Sequence, residues 1–213
     1  MITRLILIRH GQSEANANEW FAGWSDPPLT DRGRGQAMAC GRYLAGSGMH
    51  VDRAYCSPLR RAAETAALAC APLGLSPVPD PDLREINAGT WEGRPFTELR
   101  ETNADYAVWR TNIGLSRCTE GESYVELQTR VCTEISRIVE EHPGETILIA
   151  THATPVRAFE CFARGVPAAE AHTVPWVPNA SVTVAEWDGA RWTFPLVGYS
   201  DFQGDYAKGV CPD

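Results

Sequence analysis

Two histidines and several arginines stand at the ends of apolar runs in this 213-residue chain. Leu5-Ile6-Leu7-Ile8 leads directly into Arg9-His10-Gly11, and Ile147-Leu148-Ile149-Ala150 into Thr151-His152. A further strand candidate, residues 51–56, leads into Ser57-Pro58-Leu59-Arg60-Arg61. Unbroken apolar runs like the first two read as strands buried on both faces, the habit of parallel sheets, and residues 51–56 read as a further strand. In such a sheet the carboxyl ends of the strands share one side, and ligands bind there. Both imidazoles, at least two guanidiniums and the N-termini of the following helices therefore converge. Guanidinium forks and helix N-termini bind phosphate oxygens, and an imidazole nitrogen can attack phosphorus. Phosphoryl transfer is the chemistry this pattern suits.

The elements that must position these groups alternate between strand and helix. After the first strand, residues 20–28 are rich in Gly, Pro, Asp and Trp and read as a loop. Thr30 is an N-cap candidate for a helix to about residue 44, closed by Gly46-Ser47-Gly48. Ser57 as N-cap and Pro58 as first helical residue predict a helix through Ala-rich sequence to Leu73-Gly74. Residues 96–110 read as one helix carrying Tyr106 and Trp109, and residues 114–121 as a loop. Residues 122–141 repeat Leu127, Val131, Ile135 and Ile138/Val139 at helical spacing, stopped by His142-Pro143-Gly144. A helix from about Pro155 to Arg164 follows His152, and Asp188-Gly189 joins two final strands in a hairpin. The expected fold is an α/β, three-layer α/β/α sandwich with a mainly parallel central sheet and an antiparallel edge strand. It forms one domain over residues 1–213, with a small helical insertion at about residues 86–121 that is too short to bury a core of its own.

A net charge of −8 argues against nucleic acid or an anionic membrane as partner, since both need a basic face. No apolar run approaches the roughly 20 residues that span a bilayer, and no signal-peptide pattern follows Met1, so the expected location is cytoplasmic. Cys40, Cys56, Cys70, Cys118, Cys132, Cys161 and Cys211 form an odd set without a C-x-x-C pair. They read as buried free thiols in a reducing compartment. Arginines flanking the histidines oppose a cation, so no metal is expected. His50, His142 and His172 fit no motif. His142 suits the C-terminal end of a helix dipole.

Arg9-His10-Gly11-Gln12-Ser13-Glu14-Ala15-Asn16 resembles the R-H-G-x-[ST]-x-x-N signature of the histidine phosphatase (phosphoglycerate mutase-like) superfamily. Gly23-Trp24-Ser25-Asp26-Pro27-Pro28-Leu29-Thr30 is similar to its G-W-x-D-x-P-L-[ST] loop. Ser57-Pro58-Leu59-Arg60-Arg61, Leu83-Arg84-Glu85, Gly121-Glu122-Ser123, Thr151-His152-Ala153 and Asn179-Ala180-Ser181 match further family elements in order. The resemblance implies that His10 is the nucleophile and that Arg9, Arg61 and His152 hold the phosphoryl oxygens. Glu85 is implied as general acid, then base, with a pKa raised to suit. It places Asn16, Gly23 and the Ala153 N–H on the phosphate and substrate side. Many relatives have Gly at the position of Ala153. The S-P-L-x-R spacing selects Arg61 over Arg60, whose side chain is left for the pocket rim or solvent. Trp24 and Trp91 are candidates to line the pocket.

The same resemblance covers phosphatases and mutases. The mutase branch continues its acidic motif as Glu-Arg-His-Tyr-Gly, whereas Glu85 is followed by Ile86-Asn87-Ala88-Gly89-Thr90-Trp91-Glu92-Gly93. That favours a phosphatase acting on small phosphomonoesters without a cofactor. A cofactor-dependent mutase is the runner-up, and a non-catalytic phospholigand-binding member is the reading from another class. The partner expected is a small-molecule substrate, and a homodimer is compatible with the sequence.

Overall fold

The computed structural model describes residues 1–206. Cys211 lies outside the described residues, and the other six cysteines are buried free thiols. A six-stranded sheet has the order β3-β2-β4-β1-β5-β6. These are β1 (Thr3–Arg9), β2 (Arg53–Cys56), β3 (Val78–Pro79), β4 (Thr146–Thr151), β5 (Val182–Trp187) and β6 (Trp192–Tyr199). The first four run parallel. β5 lies antiparallel to β1 and β6 antiparallel to β5, so the antiparallel margin is two strands deep.

The pleat of β1 sends Leu5 and Leu7 to one face and Ile6 and Ile8 to the other, and each face carries its own core. The first face is covered by α6 (Tyr124–Glu141) and α7 (Ala153–Arg164), through Leu127, Val131, Ile135, Val156 and Phe159. The second is covered by α2 (Asp31–Gly46) and α3 (Arg60–Cys70), through Cys40, Leu44, Ala66 and Ala69. Thr30 caps α2 by accepting the Gly33 N–H at 3.1 Å. Ser123 and Glu126 cap α6 reciprocally in a capping box. No helix among the described residues is long and apolar enough to cross a membrane.

Three local expectations change. The helix predicted from Ser57 starts later, with Leu59 as N-cap; the Ser57 oxygen accepts the Leu59 N–H at 3.3 Å ahead of the helix and lies 2.8 Å from His152 Nε2. The single helix predicted over residues 96–110 is two, α4 (Phe96–Thr102) and α5 (Ala104–Thr111). Asn103 ends the first and caps the second, accepting the Tyr106 N–H at 2.9 Å. A further short helix, α1 (Glu14–Ala17), stands where no element was expected, capped by Ser13 with Asn16 as its partner.

The chain leaving β1 lies against α2 so closely that no side chain fits between them. A Cβ on Gly33 would stand 2.0 Å from the Gln12 carbonyl oxygen, and one on Gly11 2.4 Å from the Gly33 carbonyl oxygen. An alanine inside an exposed helix normally gains about 1 kcal/mol over glycine. Gly33→Ala is expected to reverse that sign and lose roughly 1–3 kcal/mol through overpacking, read as a lower urea midpoint.

Candidate active site

β1, β2 and β4 end side by side, and the groups that follow them meet. The His10 and His152 ring centroids are 5.1 Å apart, edge to face. Arg9, His10, Arg61 and His152 are all buried. The main chain at His10 is tied on both sides: its N–H donates to Thr151 O at 2.9 Å, and its carbonyl accepts Ala180 N at 3.1 Å and Asn179 Nδ2 at 3.0 Å. The next two N–H groups donate to side chains, Gly11 to Thr65 Oγ1 at 3.0 Å and Gln12 to Gln36 Oε1 at 2.8 Å. The loop is therefore rigid before any ligand arrives.

His10 Nδ1 lies 2.7 Å from the Gly11 carbonyl oxygen, which only accepts. The proton of the neutral ring must sit on Nδ1, and Nε2 carries a bare lone pair. Burial, then Arg61 and Arg9, hold the His10 pKa well below the ordinary 6.5, so the ring is uncharged at neutrality. His152 is lowered in the same way, by burial and then by Arg61 and His10. Arg61 donates to Gly23 O at 2.8 Å and Ser25 O at 2.9 Å, fixing the loop over residues 21–28. Burial lowers its pKa to about 10, which leaves it a cation at neutrality. Arg9 donates to Val177 O at 2.6 Å. Arg60 is exposed, as the motif spacing requires.

Glu85 sits at the same cavity, its carboxylate accepting the Ile86 N–H at 2.9 Å. Burial raises its pKa, opposed by the Ile86 bond, by Arg61 and by Thr154. Its segment is clamped from behind. Arg130 pairs with Glu122 through two bonds of 2.9 and 3.0 Å and donates to the carbonyls of Asp82, Arg84 and Glu85. Glu122 also accepts the Asn87 N–H at 3.1 Å. The Gly121-Glu122-Ser123 element thus fixes the acidic segment and caps α6.

A cavity of about 360 Å³ opens over these groups. Arg9, His10, Arg61, Glu85, Asn16, Gly23 and Ala153 line it, whereas His152 is fully buried and does not. The Asn16 Oδ1 accepts from Ser13 and from Asn179 Nδ2, which leaves its amide NH₂ for a ligand. Ala153 opens α7, where the first N–H groups lack intrahelical acceptors. Trp24 and Trp91 are corrected: neither lines the cavity. Trp24 donates to Glu85 O at 2.7 Å and stacks under Arg84, and Trp91 is wholly buried among Phe21, Tyr106 and Trp109. The aromatic lining comes instead from Trp20, Phe21, Phe96, Tyr106, Trp109 and Trp176, with Arg157 over the Trp176 ring at 4.1 Å. His172, which fits no motif, also lines it. The Tyr106 and Trp109 side chains on a weakly patterned stretch were the one sequence signal for this end.

The model of the histidine phosphatase superfamily (branch 1) matches residues 5–199. The chain belongs to that family. It is 37% identical over 173 residues to a 2,3-bisphosphoglycerate-dependent phosphoglycerate mutase of Methylobacterium radiotolerans, covering 78% of this chain and 81% of that one. It is 35% identical over 156 residues, 73% of its length, to a Mycobacterium tuberculosis protein described as bifunctional, and spans 42% of that relative. Among solved structures, Bacillus stearothermophilus YhfR superposes with a TM-score of 0.89 at 30% identity, covering 94% of this chain and 99% of that one. A mycobacterial glucosyl-3-phosphoglycerate phosphatase superposes with a TM-score of 0.85 at 26% identity, covering 92% and 99%. This histidine phosphatase fold thus has both phosphatases and mutases as kin, and the family is enzymatic.

The two buried imidazoles give the family site a pH signature in stability. Their folded pKa values lie below the unfolded 6.5, so the unfolded chain binds more protons on the acid side. Stability is expected to be complete above 6.5 and to fall as the pH drops below it, by about 1 kcal/mol per histidine at one unit below. Urea midpoints at pH 7.5 and 5.5 measure this, and His10→Gln with His152→Gln should reduce the difference.

Proposed function

We propose that this histidine phosphatase hydrolyses small phosphomonoesters through a phosphohistidine on His10, without a metal. The observation that carries the reading is the uncharged His10, whose proton is committed to Gly11 O and whose Nε2 lone pair is free beside two arginines. Nε2 attacks phosphorus, and the ester P–O bond breaks as the P–N bond forms. Arg9, Arg61, His152, Asn16 and the Ala153 N–H offset the charge on the phosphoryl oxygens. The protonated Glu85 gives its proton to the leaving oxygen. Its carboxylate then takes one from the attacking water, the P–N bond breaks, and inorganic phosphate leaves with both residues restored.

The hydrolase reading is favoured over a mutase by the far end of the cavity. It is lined mainly by aromatic rings, suited to a leaving group with an apolar or ring face. A glycerate-based mutase must instead hold a second phosphate, which calls for cations. Arg110 and Arg157 line the cavity, and the resemblance to a named mutase adds to them, so this second reading earns a direct test.

Hydrolysis of an aryl phosphate in excess chelator is expected for the wild type and lost by His10→Ala, on the order of 10³-fold or more. Phosphoglycerate isomerisation primed with bisphosphoglycerate, without aryl phosphate turnover, would install the mutase reading instead. In the pH profile of kcat/KM, activity should rise as His10 deprotonates below 6.5 and fall as Glu85 deprotonates above the ordinary 4.5. Glu85→Gln should remove the alkaline limb. It should also slow alkyl phosphates more than aryl phosphates, about 10²–10⁴-fold against less, because an alkoxide leaving group needs the proton.

A further inference from the structure

His152 presents a question of tautomer that its own neighbours answer. The ring is fully buried. Held uncharged by burial and by the surrounding cations, it carries a single N–H. Its Nε2 lies 2.8 Å from the Ser57 hydroxyl, and its Nδ1 has no partner among the described residues. Ser57 is itself fully buried, with its main chain fixed by donation to Ala150 O at 2.9 Å. The other partner of the Ser57 oxygen is the Leu59 N–H at 3.3 Å, which donates to it. A buried hydroxyl must place its proton on an acceptor, and His152 Nε2 is the acceptor at hand. Nε2 is therefore bare, and the ring proton sits on Nδ1.

We propose that Ser57 is a positioning residue that holds His152 as the Nδ1–H tautomer, so that the ring offers a buried N–H donor to the phosphoryl group at His10. The two imidazoles are then set in opposite senses. His10 spends its N–H on Gly11 O and shows a lone pair to phosphorus. His152 spends its lone pair on Ser57 and keeps an N–H that no group among the described residues accepts. A lone pair in that place would repel a phosphoryl oxygen, whereas an N–H stabilises the charge that develops there. An unpaired buried donor costs stability in the empty protein, and a phosphoryl oxygen removes that cost. The inference rests on the phosphohistidine reading for its catalytic consequence, but the tautomer itself does not.

Long-range proton–nitrogen correlation spectra of the full chain, labelled with ¹⁵N-histidine and recorded near pH 7.5, test it. His152 is assigned by its absence from His152→Gln. Protonated Nδ1 and bare Nε2 are expected in the wild type and in Ser57→Thr. Ser57→Ala should move the two nitrogen shifts toward a common average. Its kcat for an aryl phosphate should fall roughly 10- to 100-fold with a smaller change in KM, and Ser57→Thr should retain most of the rate. Protonation at Nε2 in the wild type overturns the proposal, as does a Ser57→Ala protein with wild-type nitrogen shifts. A wild type that shows the Nδ1–H tautomer but no aryl phosphate hydrolysis supports the role of Ser57 and overturns the hydrolase reading.

Discussion

Two guanidiniums buried where three strands end are the constraint to which the rest of the site responds. Arg9 is 2% exposed and Arg61 1%, and a buried cation is costly unless polar groups surround it. Carbonyls of Val177, Gly23 and Ser25 do so. Each of those carbonyls belongs to a loop rather than to the sheet. Satisfying the arginines is therefore what draws the loops over residues 21–28 and 174–181 onto the strand ends. Burial, reinforced by the same pair of cations, holds both imidazoles uncharged at neutrality.

The sheet contributes rigidity rather than chemistry. Thr151 reaches across from β4, where its main chain receives the His10 N–H while its hydroxyl donates to Leu83 O at 2.6 Å. The loop that follows His10 and the stretch before Glu85 are thereby referenced to one residue. Thr65 on α3 and Gln36 on α2 hold the loop from its other side. The side chains gathered at the site come from four separate parts of the chain, and short hydrogen bonds between main chain and buried side chains keep their spacing.

Much of this was legible in the sequence where the signal is local. The apolar runs of β1 and β4, the Thr30 cap, the periodicity of α6 and the motifs around His10, Arg61, Glu85 and His152 all declare themselves within a few residues. What was hidden depends on distant partners. Nothing near Ser57 says that its hydroxyl will serve His152, 95 positions away, instead of capping its own helix. Nothing near Trp24 says that its ring will brace Glu85 while Trp20, Trp109 and Trp176 line the cavity. Asn103 interrupts a stretch whose helical pattern is otherwise continuous, because its side chain competes for the main chain. Arg130 carries no motif, although it clamps the acidic segment.

The loop over residues 21–28 and the segment bearing Glu85 are stitched together at both ends. Phe21 and Gly93–Arg94 exchange main-chain bonds of 2.8 and 2.9 Å, and Trp24 donates to both Glu92 and Glu85. Gly23, at φ +53°, lies so close to Ala88 that a Cβ there would stand 2.5 Å from the alanine methyl. Two stretches joined in this way fluctuate as one cooperative unit. A local opening that released the loop over residues 21–28 would carry the Glu85 segment away with it, so partial unfolding disperses the site as a whole and leaves no half of it standing.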